Sequence, residues 1–248
     1  MSDHNDFFRV PAWYPALAPY TWQTWFVKLN PEALALLAAG KPEDGEGEDP
    51  LFSPVAKDLM RAMEPSMSVI PGNAFVFLDC CAPTDTERFA NKGGAVYSAR
   101  SALNNLLESK KVAEAARRGE AEYICMRPYR HITRPREFRL FIKDGKLSAM
   151  SQYHLIRHFR RLEGVKELYW KLADDFVKDV IWRLPVKTLV MDIYITSRKS
   201  ILVVDLNPWG GDTDPLMLLT WDRDWSVPAG IQLMAPPTPV SGDVKVSF

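Results

Sequence analysis

The sequence lacks an excess of charge of either sign: Lys+Arg and Asp+Glu each number 31 in 248 residues, and the formal net charge is zero. Without a basic surplus there is no general affinity for nucleic acid or anionic membrane. A small polyanion such as a nucleotide is not excluded. Cysteine is scarce. Cys80, Cys81 and Cys125 make no CxxC pair and no Cys/His metal spacing, which excludes the usual redox and zinc motifs. They read as buried apolar thiols in a reducing compartment, and on a strand Cys80 and Cys81 would point to opposite faces. Long hydrophobic runs are missing too: no stretch reaches the roughly 18 apolar residues that span a bilayer. The start, MSDHNDFFRVPAWYP, has no basic residues followed by an apolar run, so no signal peptide is expected. These absences predict a cytoplasmic protein with neither membrane nor nucleic acid as a direct partner.

What is present is an ordinary globular composition, 47% hydrophobic and 25% charged, in a chain long enough for one large domain or two small lobes. The aromatics between 7 and 38 read as core packing. TWQTWFVKL reads as a strand and PEALALLAAG as a short helix ending at Gly40. Residues 40–50 are acidic and rich in Gly and Pro, and are expected to form an exposed, mobile loop. A helix is expected over 51–66, a strand over 72–83 stopping at Pro83, and another strand over 122–129. Residues 98–120 place Leu103, Leu106, Leu107 and Val112 near helical spacing and predict one packing helix with a solvated basic side. Residues 165–184 predict an amphipathic helix with Val165, Leu168, Leu172, Phe176 and Val180 on one side. The 23 residues after Trp225 read as a wrapped or frayed tail. Helices and strands alternate irregularly, which predicts α+β lobes rather than a doubly wound parallel sheet.

Two hairpins carry the chemistry. In EFRLFIKDGKLSAMSQYH, Asp144-Gly145 is a two-residue turn signal. A turn there pairs Glu137 with Gln152, Arg139 with Met150 and Phe141 with Ser148. Glu137 and Arg139 share a face, either as a surface ion pair or as site residues. In LVMDIYI-TSRKS-ILVVDLNPWGG, a turn centred on Arg198-Lys199 sets Asp192 opposite Asp205, with Asn207 further along the same face. Facing carboxylates are destabilising unless one is protonated or a cation lies between them. Two carboxylates and an amide oxygen are hard ligands that suit magnesium. In TDPL, Thr213 or Asp214 is expected to cap a helix that begins at Pro215.

The strings DLNPWGGDTDPL and EFRLFIKDGKLSAMSQ, with PAWYP and CAPTD ahead of them in the same order, resemble the cell division cycle protein 123 family. The resemblance runs from about Trp13 to about Trp221. It implies an ATP-grasp fold: an N-terminal lobe of about 1–125, a C-terminal lobe of about 126–225 carrying the magnesium site, a tail over 226–248, and ATP held between the lobes. It implies ATP and magnesium as cofactors, with Asp192, Asp205 and Asn207 as metal ligands. Arg139 would touch phosphate, with Glu137 beside it, and Met126, Arg127, Pro128 and Tyr129 would form the hinge strand that pairs with adenine. The chain departs from the family at two places. Phe77 stands where a phosphate-contacting lysine is usual, with Lys57, Lys92, Lys110 and Lys111 as possible substitutes. Tyr153 stands where an arginine is usual.

By the same resemblance the function is that of a chaperone-like assembly factor. It would bind the gamma subunit of eukaryotic translation initiation factor 2, or an unknown protein if the source is not eukaryotic. The alternative is an ATP-grasp ligase or phosphoryl-transfer enzyme acting on an unknown acceptor. A third reading, a scaffold without ATP, rests on Phe77 alone. No residue declares itself catalytic: His131, His154, His158 and the HFRR segment read as a solvated helix start.

Overall fold

Two sheets organise the chain, each within its own unit, Met1–His131 and Ile132–Phe248. The computed structural model describes residues 7–42, 48–211 and 213–237. Residues 43–47 of the acidic stretch and the last part of the expected tail fall outside these residues.

In the first unit β1 (Trp25–Lys28), β2 (Ala74–Leu78), β3 (Ala95–Val96) and β4 (Tyr123–Pro128) form one sheet in the order β1-β4-β2-β3. Alternation along the strands turns Val76, Leu78, Ile124 and Met126 into the main core. There they meet Ala33 and Leu37 of α2 (Pro31–Ala39) and Leu59 and Met63 of α3 (Pro54–Val69), which follows α1 (Val10–Leu17) and α2. Helix α2 follows its sequence signals: Asn30 accepts from the Ala33 N–H, Pro31 opens the helix, and Gly40, at φ 65°, donates its N–H to the Leu36 carbonyl. After α4 (Glu87–Lys92), the expected single helix over 98–120 is two, α5 (Ala99–Leu107) and α6 (Lys110–Arg117). Ser109 makes the break, because its hydroxyl caps Val112 and donates to Asp85 Oδ1 at 2.6 Å. The cysteines are not uniformly buried as expected: Cys125 is, but Cys80 and Cys81 lie past the end of β2, and Cys80 is exposed.

The second unit holds β5 (Glu137–Lys143), β6 (Lys146–Gln152), β7 (Leu189–Ile195), β8 (Ile201–Asn207) and β9 (Gly230–Gln232) in the order β8-β7-β5-β6-β9. All pairs are antiparallel except β6 with β9. Helix α7 (Arg160–Glu163) precedes α8 (Lys166–Val180), which packs on one face of the sheet, with Phe138 edge-on to Tyr169. The buried side of α8 is Ala173, Phe176, Val177 and Val180, while Leu168, expected inside, is 37% exposed. The opposite face presents Glu137, Arg139 and Phe141. Phe141 lies in an aromatic cluster with Trp209, Trp221 and Trp225, all from the segment after β8.

Both hairpin registers contain a bulge. In the first, Ile142↔Leu147 follows the turn as expected, but a shift between Phe141 and Ile142 pairs Arg139 with Ser151 rather than Met150 and Phe141 with Ala149 rather than Ser148. Glu137, expected opposite Gln152, likewise loses that partner to Phe138. In the second, Asp192 does face Asp205, and Val190 faces Asn207. The turn side is shifted by one, with Ile195 facing Ile201 and a bulge between Asp192 and Ile193.

Asp79 closes the first unit. It follows β2, its side chain is fully buried, and Oδ1 accepts from the Glu122 and Tyr123 N–H groups at 3.0 and 3.2 Å. Arg9 Nη1 reaches Oδ2 at 3.3 Å. Burial raises the carboxyl above its usual value, against the pull of these donors. Asp79→Ala would strand two backbone donors at the start of β4 and is expected to cost about 2–3 kcal/mol in urea unfolding. The exposed pair Arg61–Asp58 is the control: Asp58→Ala should cost under about 1 kcal/mol. Equal losses for the two would show that Asp79 is not the tie described.

Candidate functional site

The polar end of the second unit's open face is built by strand register. Arg139 on β5 lies beside Asp192 on β7, which lies beside Asp205 on β8. Arg139 Nε donates to Asp192 Oδ1 at 2.7 Å and Nη2 donates to Oδ2 at 2.8 Å, a two-pronged contact. The two side chains are 9% and 5% exposed. A buried guanidinium in this geometry is the cation that lets Asp192 exist beside Asp205. Burial works against the charge on Arg139, and the Asp192 carboxylate more than offsets it, holding its pKa above the usual value. At Asp192 burial raises the carboxyl while Arg139 and Asn207 lower it.

The remaining donors follow. Asn207 Nδ2 donates to Asp192 Oδ2 at 3.2 Å. Asp205 is half-buried, and its Oδ1 accepts from the Leu206 N–H at 2.9 Å. An ionised carboxylate offers about four lone-pair sites. Asp192 spends three of them on Arg139 and Asn207. Among the described residues no group of three or more His, Cys, Asp and Glu could hold a metal. The candidate set is therefore two carboxylates and one amide oxygen, few enough that the other ligands would be waters or phosphates. Magnesium takes such a set, and the donor chemistry fits it.

Around this set lie groups that the sequence did not place. Tyr153, at the position where an arginine was expected, puts its ring 5.3 Å from the Arg139 guanidinium. Burial, then Asp192, pushes its hydroxyl above the ordinary phenol range. Glu137 is buried, and its Oε2 lies 2.7 Å from His154 Nε2. His154 is thus not part of a solvated helix start. The amide of Gln152 fixes its loop by donating to the carbonyls of His154 and Arg157. His158 is bound elsewhere, through Nδ1, to the Met234 carbonyl at 2.8 Å. Arg139 also donates through Nη1 to the Asp214 carbonyl at 2.7 Å. The helix expected at Pro215 is only a single 3-10 turn, Leu216–Leu218, and Asp214 Oδ1 accepts from its Leu216 N–H.

The other predicted residues lie in the first unit. Met126 sits within the sheet between Trp25 and Val76, while Arg127 and Pro128 have a paired neighbour on the β2 side alone. Tyr129 donates its N–H to Asn73 and packs on Gly93, where a Cβ would come within 2.6 Å of the Tyr129 hydroxyl. Phe77 is 4% exposed, and the Arg127 guanidinium lies 4.3 Å from its ring centre and 5.5 Å from that of Trp22. A cation from the adjacent strand therefore covers the position where a lysine was expected. Of the proposed substitutes, Lys111 is bonded to Thr84.

The buried pair makes a sharp stability prediction. Arg139→Ala should cost about 3–5 kcal/mol in chemical unfolding, because it leaves Asp192 buried and uncompensated. Arg139→Met combined with Asp192→Leu should return to within about 1 kcal/mol of the starting protein. Additive losses in the double variant would contradict a buried pair.

Comparison with known proteins bears on the family and the fold. Cell division cycle protein 123 of Candida glabrata is 38% identical over 89 residues, 35% of this chain and 24% of that protein. The translation initiation factor eIF2 assembly protein of Xenopus tropicalis is 34% identical over 95 residues, 37% of this chain and 28% of that protein. These matches thus span about a quarter of the relatives' length. The structure of Cdc123 from Schizosaccharomyces pombe superposes with a TM-score of 0.77 at 18% identity, over 95% of this chain and 96% of that one, which gives the expected α+β class its specific fold. The D123 family model matches residues 98–223, half of the chain and all of the polar face just described, and the chain belongs to that family, the family of cell division cycle protein 123.

Proposed function

We propose that this protein binds ATP with magnesium through an ATP-grasp fold and serves in the cytoplasm as an assembly factor for translation initiation factor 2, docking on its gamma subunit. The observation that carries the cofactor half is the convergence of Asp192, Asp205 and Asn207 with Arg139 on one sheet face. Asp205, the Asn207 amide oxygen and the unspent lone pair of Asp192 would hold magnesium, which neutralises phosphate charge when bound. Arg139 is the phosphate-facing cation, locked in orientation by Asp192 and Tyr153. Arg127 replaces the missing lysine as the cation of the first unit, with Met126, Pro128 and Tyr129 along the same strand. The partner half rests on family membership and on relatives named for eIF2 assembly.

Binding without turnover is favoured, because among the described residues no acceptor-binding group stands out beside the metal set. One observation favours the second reading, an acceptor-dependent enzyme. Glu137 holds His154 by Nε2, the arrangement that orients an imidazole as a general base.

Calorimetry with ATP separates the readings. Magnesium-dependent binding is expected, lost on Asp205→Ala and weakened on the order of tenfold by Arg127→Ala. Retained affinity in Asp205→Ala would refute the metal assignment. Release of ADP that stops with His154→Ala would establish the enzyme reading in place of the binding one.

A further inference from the structure

The turn after the metal set is strained, and it is strained at leucines. Among the described residues four non-glycine positions have positive φ, and two of them are Leu216 (φ 52°) and Leu219 (φ 66°). Leu219, with ψ −33°, is the centre of a tight turn in which the Thr220 N–H donates to the Leu218 carbonyl at 2.8 Å. This is a γ-turn of the rare, strained hand. A side chain with a Cβ does not adopt it unless the surroundings impose it.

The surroundings do impose it. Arg139 holds the Asp214 carbonyl, Thr213 Oγ1 donates to the Pro208 carbonyl at 2.8 Å, and Trp221 Nε1 donates to the Thr213 carbonyl at 2.8 Å. Met217 donates its N–H to Ser151 Oγ at 3.2 Å. Leu218 is buried in the aromatic cluster at 7% exposure, while its neighbour Leu219 is 84% exposed, more than any other large hydrophobic side chain described. The strain thus serves no packing of Leu219 itself: it turns one leucine in and thrusts the next into water. The charges flanking this tip are mainly acidic. Asp214, Asp222 and Asp224 are exposed; of the two cations that act on Asp224, Lys143 and Arg223, the latter lies over the Trp225 ring at 5.1 Å.

We infer that the Asp214–Asp224 tip is a protein-docking element in which Leu219 is the apolar anchor. Its occupant is a protein surface with an apolar socket rimmed by Lys and Arg. An anchoring side chain of this kind fills a pocket, and the acidic flanks fix the sign of the rim and speed encounter. This inference rests on the partner reading above, and deepens it by naming the residues that touch the partner.

The test uses the full chain and purified eIF2. Leu219→Gly removes the anchor and relieves the strain, so melting temperature should stay level or rise, while affinity for eIF2 falls on the order of tenfold or more. A residue with a merely structural role would lose stability and affinity together. Raising ionic strength should slow association of the unaltered protein, and charge reversal at Asp222 and Asp224 should do the same. Unchanged affinity in Leu219→Gly would overturn the anchor, and salt-independent association would overturn the basic rim. Failure of the unaltered protein to bind eIF2 at all would sink the partner reading and this inference with it.

Discussion

Arg139 and Asp192 form the contact on which the second unit's open face depends. Without the guanidinium, two aspartates on neighbouring strands would face each other in a region otherwise filled by Phe141, Val190 and the tryptophan cluster. Facing carboxylates destabilise a sheet, and burial multiplies the cost. The two-pronged contact satisfies Asp192, while the half-buried Asp205 accepts from the Leu206 N–H. Burial is divided unequally across the face: the Asp192 carboxylate is enclosed with the guanidinium, whereas Asp205 is half-exposed. The same face changes along its length from charged to aromatic, so one strand pair carries both a candidate ligand site and its own hydrophobic support.

The first unit meets a similar problem with different means. Asp79 is buried, and its charge is satisfied mainly by two backbone N–H groups, with Arg9 alongside. It ties the exit of β2 to the entry of β4, and these strands carry Phe77 and Arg127. On those strands the Arg127 guanidinium lies 4.3 Å from the Phe77 ring centre, so a cation sits beside the position where a lysine was expected.

Much of this was legible in the sequence, though not always for the reason given. A symmetric turn predicts the Asp192–Asp205 pairing, yet the turn side is shifted by one residue and the bulge after Asp192 restores the pair. The first hairpin shows the opposite outcome: the turn was right and a bulge before Ile142 carried Arg139 away from Met150. Bulges leave little trace in a pattern of period two, because a single inserted residue looks like ordinary irregularity. The division of 98–120 at Ser109 was hidden because apolar spacing continues across the break, while its cause, the Asp85 carboxylate, lies 24 residues away. His154 was hidden similarly, since its partner Glu137 is set by the shifted register. The positive φ of Leu216 and Leu219 has no sequence signal at all, because leucine is among the last residues one would assign there.

The third bond of Arg139 has a consequence of its own. One guanidinium grips a carboxylate on the sheet and, by Nη1, the Asp214 carbonyl at the root of the leucine turn. The turn's free energy therefore contains the position of that guanidinium as a variable. Any anion that draws Arg139 outward loosens the turn, and anything that clamps the turn steadies Arg139. Linkage makes the two effects equal in size, so sheet face and turn would report each other's occupancy through one planar group, with no hinge and no moving domain required.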